Sequence, residues 1–101
     1  MEKEIIWTQT SQNQLEDIYF YLLEETKSFD IADKIIDALT SSVEILKNNW
    51  EIYETDDMRI PIDVNYRAFE KFSYRISYKI DLEKIFILRI RHTSRNPKFY
   101  R

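Results

Sequence analysis

Residues 74–91 read YRISYKIDLEKIFILRIR, and the fold turns on how this stretch is parsed. Tyr74, Ile76, Tyr78 and Ile80 alternate with Arg75, Ser77, Lys79 and Asp81. That period of two gives a strand one apolar face and one polar face. Leu82 and Glu83 make the turn that sends the chain back. Lys84 to Arg91 is an almost unbroken apolar run that turns basic at its end, as expected of a strand covered on both faces where it starts and emerging at a surface where it finishes. Such a strand belongs in the interior of a sheet. By alternation, Arg89 and Arg91 share one face.

Upstream, residues 50–65 have no clean period and Pro61 interrupts any strand there, so this segment reads as a loop or an edge excursion. Further back, Leu15, Ile18, Tyr19 and Leu22 fall at helical spacing, with Ser11 and Gln14 at capping-box spacing, and the helix ends near Thr26. Ser28 or Asp30 caps a second helix with an apolar stripe of Ile31, Ile35, Leu39, Val43 and Leu46, running to about Asn48. The short polar link between them makes an antiparallel helix hairpin. Glu4 to Thr8 is a β-branched and aromatic run that reads as an opening strand. The expected fold class is α+β in a single domain spanning 1–101. An N-terminal strand and an antiparallel helix hairpin pack on a mostly antiparallel sheet in the order β-α-α-β-β-β.

Charge is segregated along this layout. Residues 66–101 hold ten Lys and Arg against three Asp and Glu, a balance of +7, and residues 1–65 hold five against fifteen, a balance of −10. The net −3 conceals a dipole, and one surface is built to meet something anionic. Glycine is absent, which excludes the glycine-dependent phosphate cradles and leaves turns to Asn, Asp, Ser and the two prolines. No cysteine and one histidine, His92, leave no zinc site and no thiolate chemistry, so neither metal nor cofactor is expected. No apolar run has membrane-spanning length and the N-terminus lacks a signal-peptide pattern, so the expected location is cytoplasmic, with no membrane partner.

The chain resembles the RelE/ParE toxins of bacterial toxin-antitoxin pairs. The residues that carry the resemblance are Trp7 closing the first strand, Leu15, Ile18 and Tyr21 on the first helix, then Arg67, Tyr74-Arg75-Ile76-Ser77-Tyr78, Ile85-Phe86-Ile87-Leu88, and His92 followed by Arg95-Asn96-Pro97. The resemblance implies one of two activities on a shared scaffold. RelE-like members cleave messenger RNA in the ribosome, whereas ParE-like members inhibit DNA gyrase, and a cognate antitoxin neutralises both. Fold alone does not choose between them.

Metal-free RNA cleavage needs a base, an acid and cations around the phosphate. By the resemblance Arg75 is the phosphate clamp, and His92, Arg95 and Tyr100 stand where RelE-like members carry their other catalytic groups. Glu51 or Glu54 is a candidate base. The lysine pair that RelE-like toxins carry before this hairpin is missing, since residues 61–72 offer only Lys71. Arg67, Arg89, Arg91 and Lys98 are candidates for binding the antitoxin or the target. Each has a plainer reading: Arg75 as a salt-bridged strand arginine, His92 as a structural strand-end histidine, and Tyr66, Tyr74 and Tyr78 as sheet packing rather than base-stacking platforms. The incomplete catalytic set and the acidic total favour a ParE-like gyrase inhibitor. The alternatives are a RelE-like endoribonuclease and a degenerate module that only binds its antitoxin.

Overall fold

The run from Lys84 to His92 forms a nine-residue strand flanked on both sides in a four-stranded sheet, as a stretch apolar on both faces requires. The computed structural model describes residues 1–93, and its elements are β1 (Glu4–Trp7), α1 (Gln9–Thr26), α2 (Phe29–Glu44), a 3₁₀ turn (Ile45–Lys47), β2 (Tyr66–Lys71), β3 (Tyr74–Ile80) and β4 (Lys84–His92). The sheet order is β1-β4-β3-β2; β1 runs parallel to β4 and the other two pairings are antiparallel. The helices cover one face. Against them lie Phe69, Tyr74, Ile76, Tyr78, Ile85, Ile87 and Ile90 from the sheet, packed with Ile18, Leu22, Ala32, Leu39, Val43 and Leu46. This element order and layering are those expected from the sequence. Among the described residues no helix is long and apolar enough to cross a membrane.

The local signals differ from expectation in three places. α1 starts at Gln9 and its cap is Thr8. The Thr8 hydroxyl accepts from the Ser11 N–H at 3.2 Å and donates to the Ile87 carbonyl at 2.7 Å, tying the first turn of α1 to the central strand. Gln14, which the capping-box spacing would send back to Ser11, instead accepts the Ile90 N–H at 2.8 Å. β1 stops at Trp7, beside Ile87, so the edge of β4 beyond that point has no strand to bond to, and a side chain from α1 fills the gap. In α2 the buried line is Ala32, Leu39 and Val43, with Ile35 and Ile36 beside it, and Ile31 is exposed. A residue in the first turn lies past the edge of the sheet-facing stripe. Ser28, rather than Asp30, is the cap, accepting the Ile31 N–H at 3.1 Å.

The third difference concerns turns without glycine. Three non-glycine residues occupy positive φ: Lys27 (57°), Phe72 (52°) and Ser73 (64°). Lys27 ends α1, its N–H donating to the Leu23 carbonyl at 2.8 Å. Phe72 and Ser73 form the two-residue link between β2 and β3 with the φ signs of a type I′ turn, where Asn-Gly is usual. A side chain in this region costs about 1 kcal/mol or more, so Ser73→Gly should stabilise the fold by roughly 1 kcal/mol, read as a higher urea midpoint at unchanged slope.

Tyr78 is fully buried and its hydroxyl donates to the Trp50 carbonyl at 2.9 Å. Burial pushes its phenol up to about 12, against a smaller opposing pull from Arg67. The fold accepts only the neutral form, so this stabilisation is complete below pH 10 and is lost as pH rises from 10 through 12. Unfolding measured over that window should show the native chain losing roughly 2 to 3 kcal/mol more than Tyr78→Phe, although the variant starts about 1 kcal/mol lower at neutral pH.

Candidate functional site

The face of the sheet opposite the helices is built around a break in β4. Ile85 and Ile87 are buried on the helix side, and strict alternation would place Arg89 and Arg91 there too. The register prevents it: Tyr78 pairs with Ile87 while Ser77 pairs with Arg89, leaving Leu88 as an extra residue. This bulge reverses the alternation. Ile90, 2% exposed, now faces the helices, and Arg89 and Arg91 turn to the open face beside Ser77 and Arg75, with which they pair.

Loop 50–65 starts on the helix side, where Trp50 and Tyr53 pack against the core, and its residues 56–60 then cross this open face. Its Thr55 makes a single antiparallel bridge with Arg67 on the outer edge of β2, and Asp56 donates its N–H to the Tyr66 carbonyl at 2.7 Å. Between loop and sheet lies a cleft of about 700 Å³, whose walls include Arg59, Arg75, Arg89 and Arg91. One carboxylate, Asp56, lines the same cleft. Its Oδ1 accepts from Arg75 Nη2 at 2.6 Å and from the Met58 N–H at 3.0 Å, and Asp57 Oδ1 lies 3.5 Å from the same guanidinium. The Arg75 side chain is 21% exposed and that of Asp56 13%. Arg59 stacks on the Tyr66 ring, 3.5 Å from its centroid. Arg75 is bonded to this carboxylate and three more arginines line the same cleft, a cationic surface that suits an anionic ligand and already holds one anionic group of its own.

The other candidate residues are placed as follows. Arg67 lies opposite Tyr78 and is occupied with the loop: it donates to the carbonyls of Tyr53 (2.8 Å), Val64 (3.0 Å) and Glu51 (3.4 Å), leaving its side chain 15% exposed. His92 is paired with buried Tyr74 and meets that ring edge-on, centroids 5.0 Å apart. It is therefore on the helix side, across the sheet from Arg75. Glu51 and Glu54 do not line the cleft. Of the three tyrosines weighed as platforms, Tyr74 and Tyr78 are buried in the core and Tyr66 carries Arg59. Arg95, Lys98 and Tyr100 lie outside the described residues. Among the described residues no group of side chains could hold a metal ion. Arg59 and Asp56 were missed from sequence because their segment has no period; the signal available was a pair of acids and an arginine (Asp56, Asp57, Arg59) ahead of a basic sheet.

The family model of the ParE toxin of type II toxin-antitoxin systems matches residues 5–97. Among solved structures, the chain is similar to one from a chromosomal ParDE toxin-antitoxin system of P. aeruginosa, with TM-score 0.75 and 18% identity over 92% of this chain and 98% of that one. It is also similar to one from a RelBE toxin-antitoxin complex of Mycobacterium tuberculosis, with TM-score 0.55 and 18% identity over 91% and 99% of the two chains. At that identity both likenesses speak to the fold. No curated protein sequence matches the chain.

The Arg75–Asp56 pair is shielded enough to contribute to stability. A double-mutant cycle with Arg75→Met and Asp56→Asn should give a coupling of roughly 1 to 2 kcal/mol by urea denaturation, above the usual value for an exposed pair. Arg89→Ala, at an exposed position, should change stability much less.

Proposed function

This chain belongs to the ParE toxin family of type II toxin-antitoxin systems, and we propose that it arrests growth by binding and inhibiting DNA gyrase and is neutralised by a cognate antitoxin. The observation that carries this reading is the division of the candidate catalytic groups between the two faces of the sheet. Arg75 lines the arginine cleft while His92 packs edge-on against Tyr74 on the helix side. General acid-base cleavage of RNA needs a proton acceptor and donor within hydrogen-bond reach of one phosphate. In the described part of the cleft the lone carboxylate is engaged by Arg75. Such a surface binds, and the family's protein-targeting activity asks for no more.

The same face supports an antitoxin contact. Arg89 and Arg91 project from the end of β4 where the sheet is widest in charge, and an acidic or amphipathic partner segment laid along it would pair with them. Lys98 would extend that surface. Arg75, deeper and better ordered by its partners, is assigned to the target. Arg67 would act on either partner through the loop it anchors.

Expression alone should stop growth, and coexpression of the neighbouring antitoxin gene should restore it; unimpaired growth at confirmed expression would leave a module that only binds its antitoxin. Arg75→Ala should reduce toxicity, with a loss of about 1.5 to 3 kcal/mol in target binding. Arg89→Ala combined with Arg91→Ala should weaken antitoxin binding and flatten its salt dependence. Purified protein should inhibit supercoiling by gyrase, with messenger RNA intact by primer extension. Cleavage within codons instead, lost in His92→Ala or Tyr100→Phe, would establish the ribosome-dependent nuclease reading.

A further inference from the structure

Loop 50–65 is attached to the sheet in an unusual way. Met58, Ile60, Ile62 and Val64 are 74%, 89%, 65% and 65% exposed, so its distal half is not held down by apolar burial. What holds the part over the cleft is polar: Asp56 to Arg75, the Asp56 N–H to Tyr66, and Arg59 on the Tyr66 ring. The two ends of the loop are fastened separately, by Arg67 on the carbonyls of Glu51, Tyr53 and Val64 and by Tyr53 stacked on Phe69. Residues 56–60 can therefore lift while the base of the loop stays anchored.

We propose that residues 56–60 form a latch over the arginine cleft, in which Asp56 is an internal stand-in for a carboxylate of an acidic partner polypeptide that displaces it from Arg75. This rests on the reading of the cleft as a binding site and adds how access to it is controlled. Two observations favour a carboxylate-bearing peptide over a nucleic acid. The ligand already seated on Arg75 is a carboxylate accepting a 2.6 Å charged hydrogen bond. The lid side of the cleft is apolar, through Met58 and Ile60, and suits the side chains that flank acids in a peptide. A partner that takes over Arg75 frees the latch and leaves those two side chains to pack against it. Because the latch competes for the site, it lowers apparent affinity by the fraction of molecules that are open, and favours partners acidic enough to win the exchange.

The test uses the full chain and a fluorescein-labelled oligoglutamate peptide as the probe, followed by anisotropy, with a labelled single-stranded RNA of mixed sequence in parallel. Asp56→Asn keeps an oxygen for the Met58 N–H but gives up the charge, and should bind oligoglutamate about tenfold more tightly than the native chain. Asp56→Glu, which retains a carboxylate, should gain little. In the Asp56→Asn background, Arg75→Gln should remove the gain. Amide exchange at Asp56 and Arg59 should quicken in Asp56→Asn, and in the native chain at saturating peptide, while the core strands stay protected; matched melting temperatures show that the variants are folded. Equal affinity in native chain and Asp56→Asn, or unchanged exchange at these amides, overturns the latch. A gain seen only with RNA overturns the assignment of an acidic polypeptide. None of these readouts involves gyrase or growth, so failure of the gyrase reading and failure of the latch are told apart.

Discussion

A strand that places Ile85 and Ile87 against the helices would, at strict period two, deliver Arg89 and Arg91 into the same layer. Two guanidinium groups buried there without partners would each cost several kcal/mol, enough to consume much of the stability of a domain this size. The extra residue at Leu88 removes that conflict by reversing the alternation within one strand. Everything distinctive about the open face follows. Ile90 returns to the core, the two arginines meet Arg75 and Ser77, and a surface that would otherwise be an ordinary polar side of a sheet becomes a cationic cleft.

Two arginines of the basic last third are used inside the molecule. Arg67 binds loop carbonyls and Arg75 binds Asp56, while the loop's own Arg59 lies on Tyr66. These contacts organise an irregular segment that reaches the hydrophobic core only through Trp50 and Tyr53 at its start. The segregation of charge by sequence position thus has two roles: part of it fastens an acidic loop to a basic sheet, and Arg89 and Arg91 add charge to the cleft on the open face.

The fold was legible because its signals are long and redundant. The alternation from Tyr74 to Ile80, the apolar run after Lys84 and the helical spacing of Leu15, Ile18 and Leu22 each admit one reading. The candidate site was only half legible. Arg75, Arg89 and Arg91 were each singled out, but in separate roles, and plain alternation would have buried the last two. The spacing of Ile85, Ile87 and Ile90, two residues and then three, was the trace of the bulge. Thr8 was passed over as a cap because Ser11 and Gln14 offered a familiar spacing, whereas tertiary bonds to β4 use both Thr8 and Gln14. The face taken by His92 depends on the bulge as well and was not readable from the residue alone. Positive φ at Phe72 and Ser73 had no compositional signal in a chain without glycine.

The pairing of β1 with β4 has a consequence in time. Glu4 bonds to the segment at Lys84, so the first strand made by the ribosome waits for the last of the described strands before it can join a sheet. Until β4 emerges, the helix hairpin has no central strand to cover and Tyr78 has a neighbour on one side only. Contacts so distant in sequence form late. Arg89 and Arg91 ride on that same final strand, which makes the interaction surface and the completed core products of one event: a nascent or truncated chain lacking β4 is neither folded nor equipped to bind. For a member of a toxin family, the surface that would meet a partner is thus completed no earlier than the core.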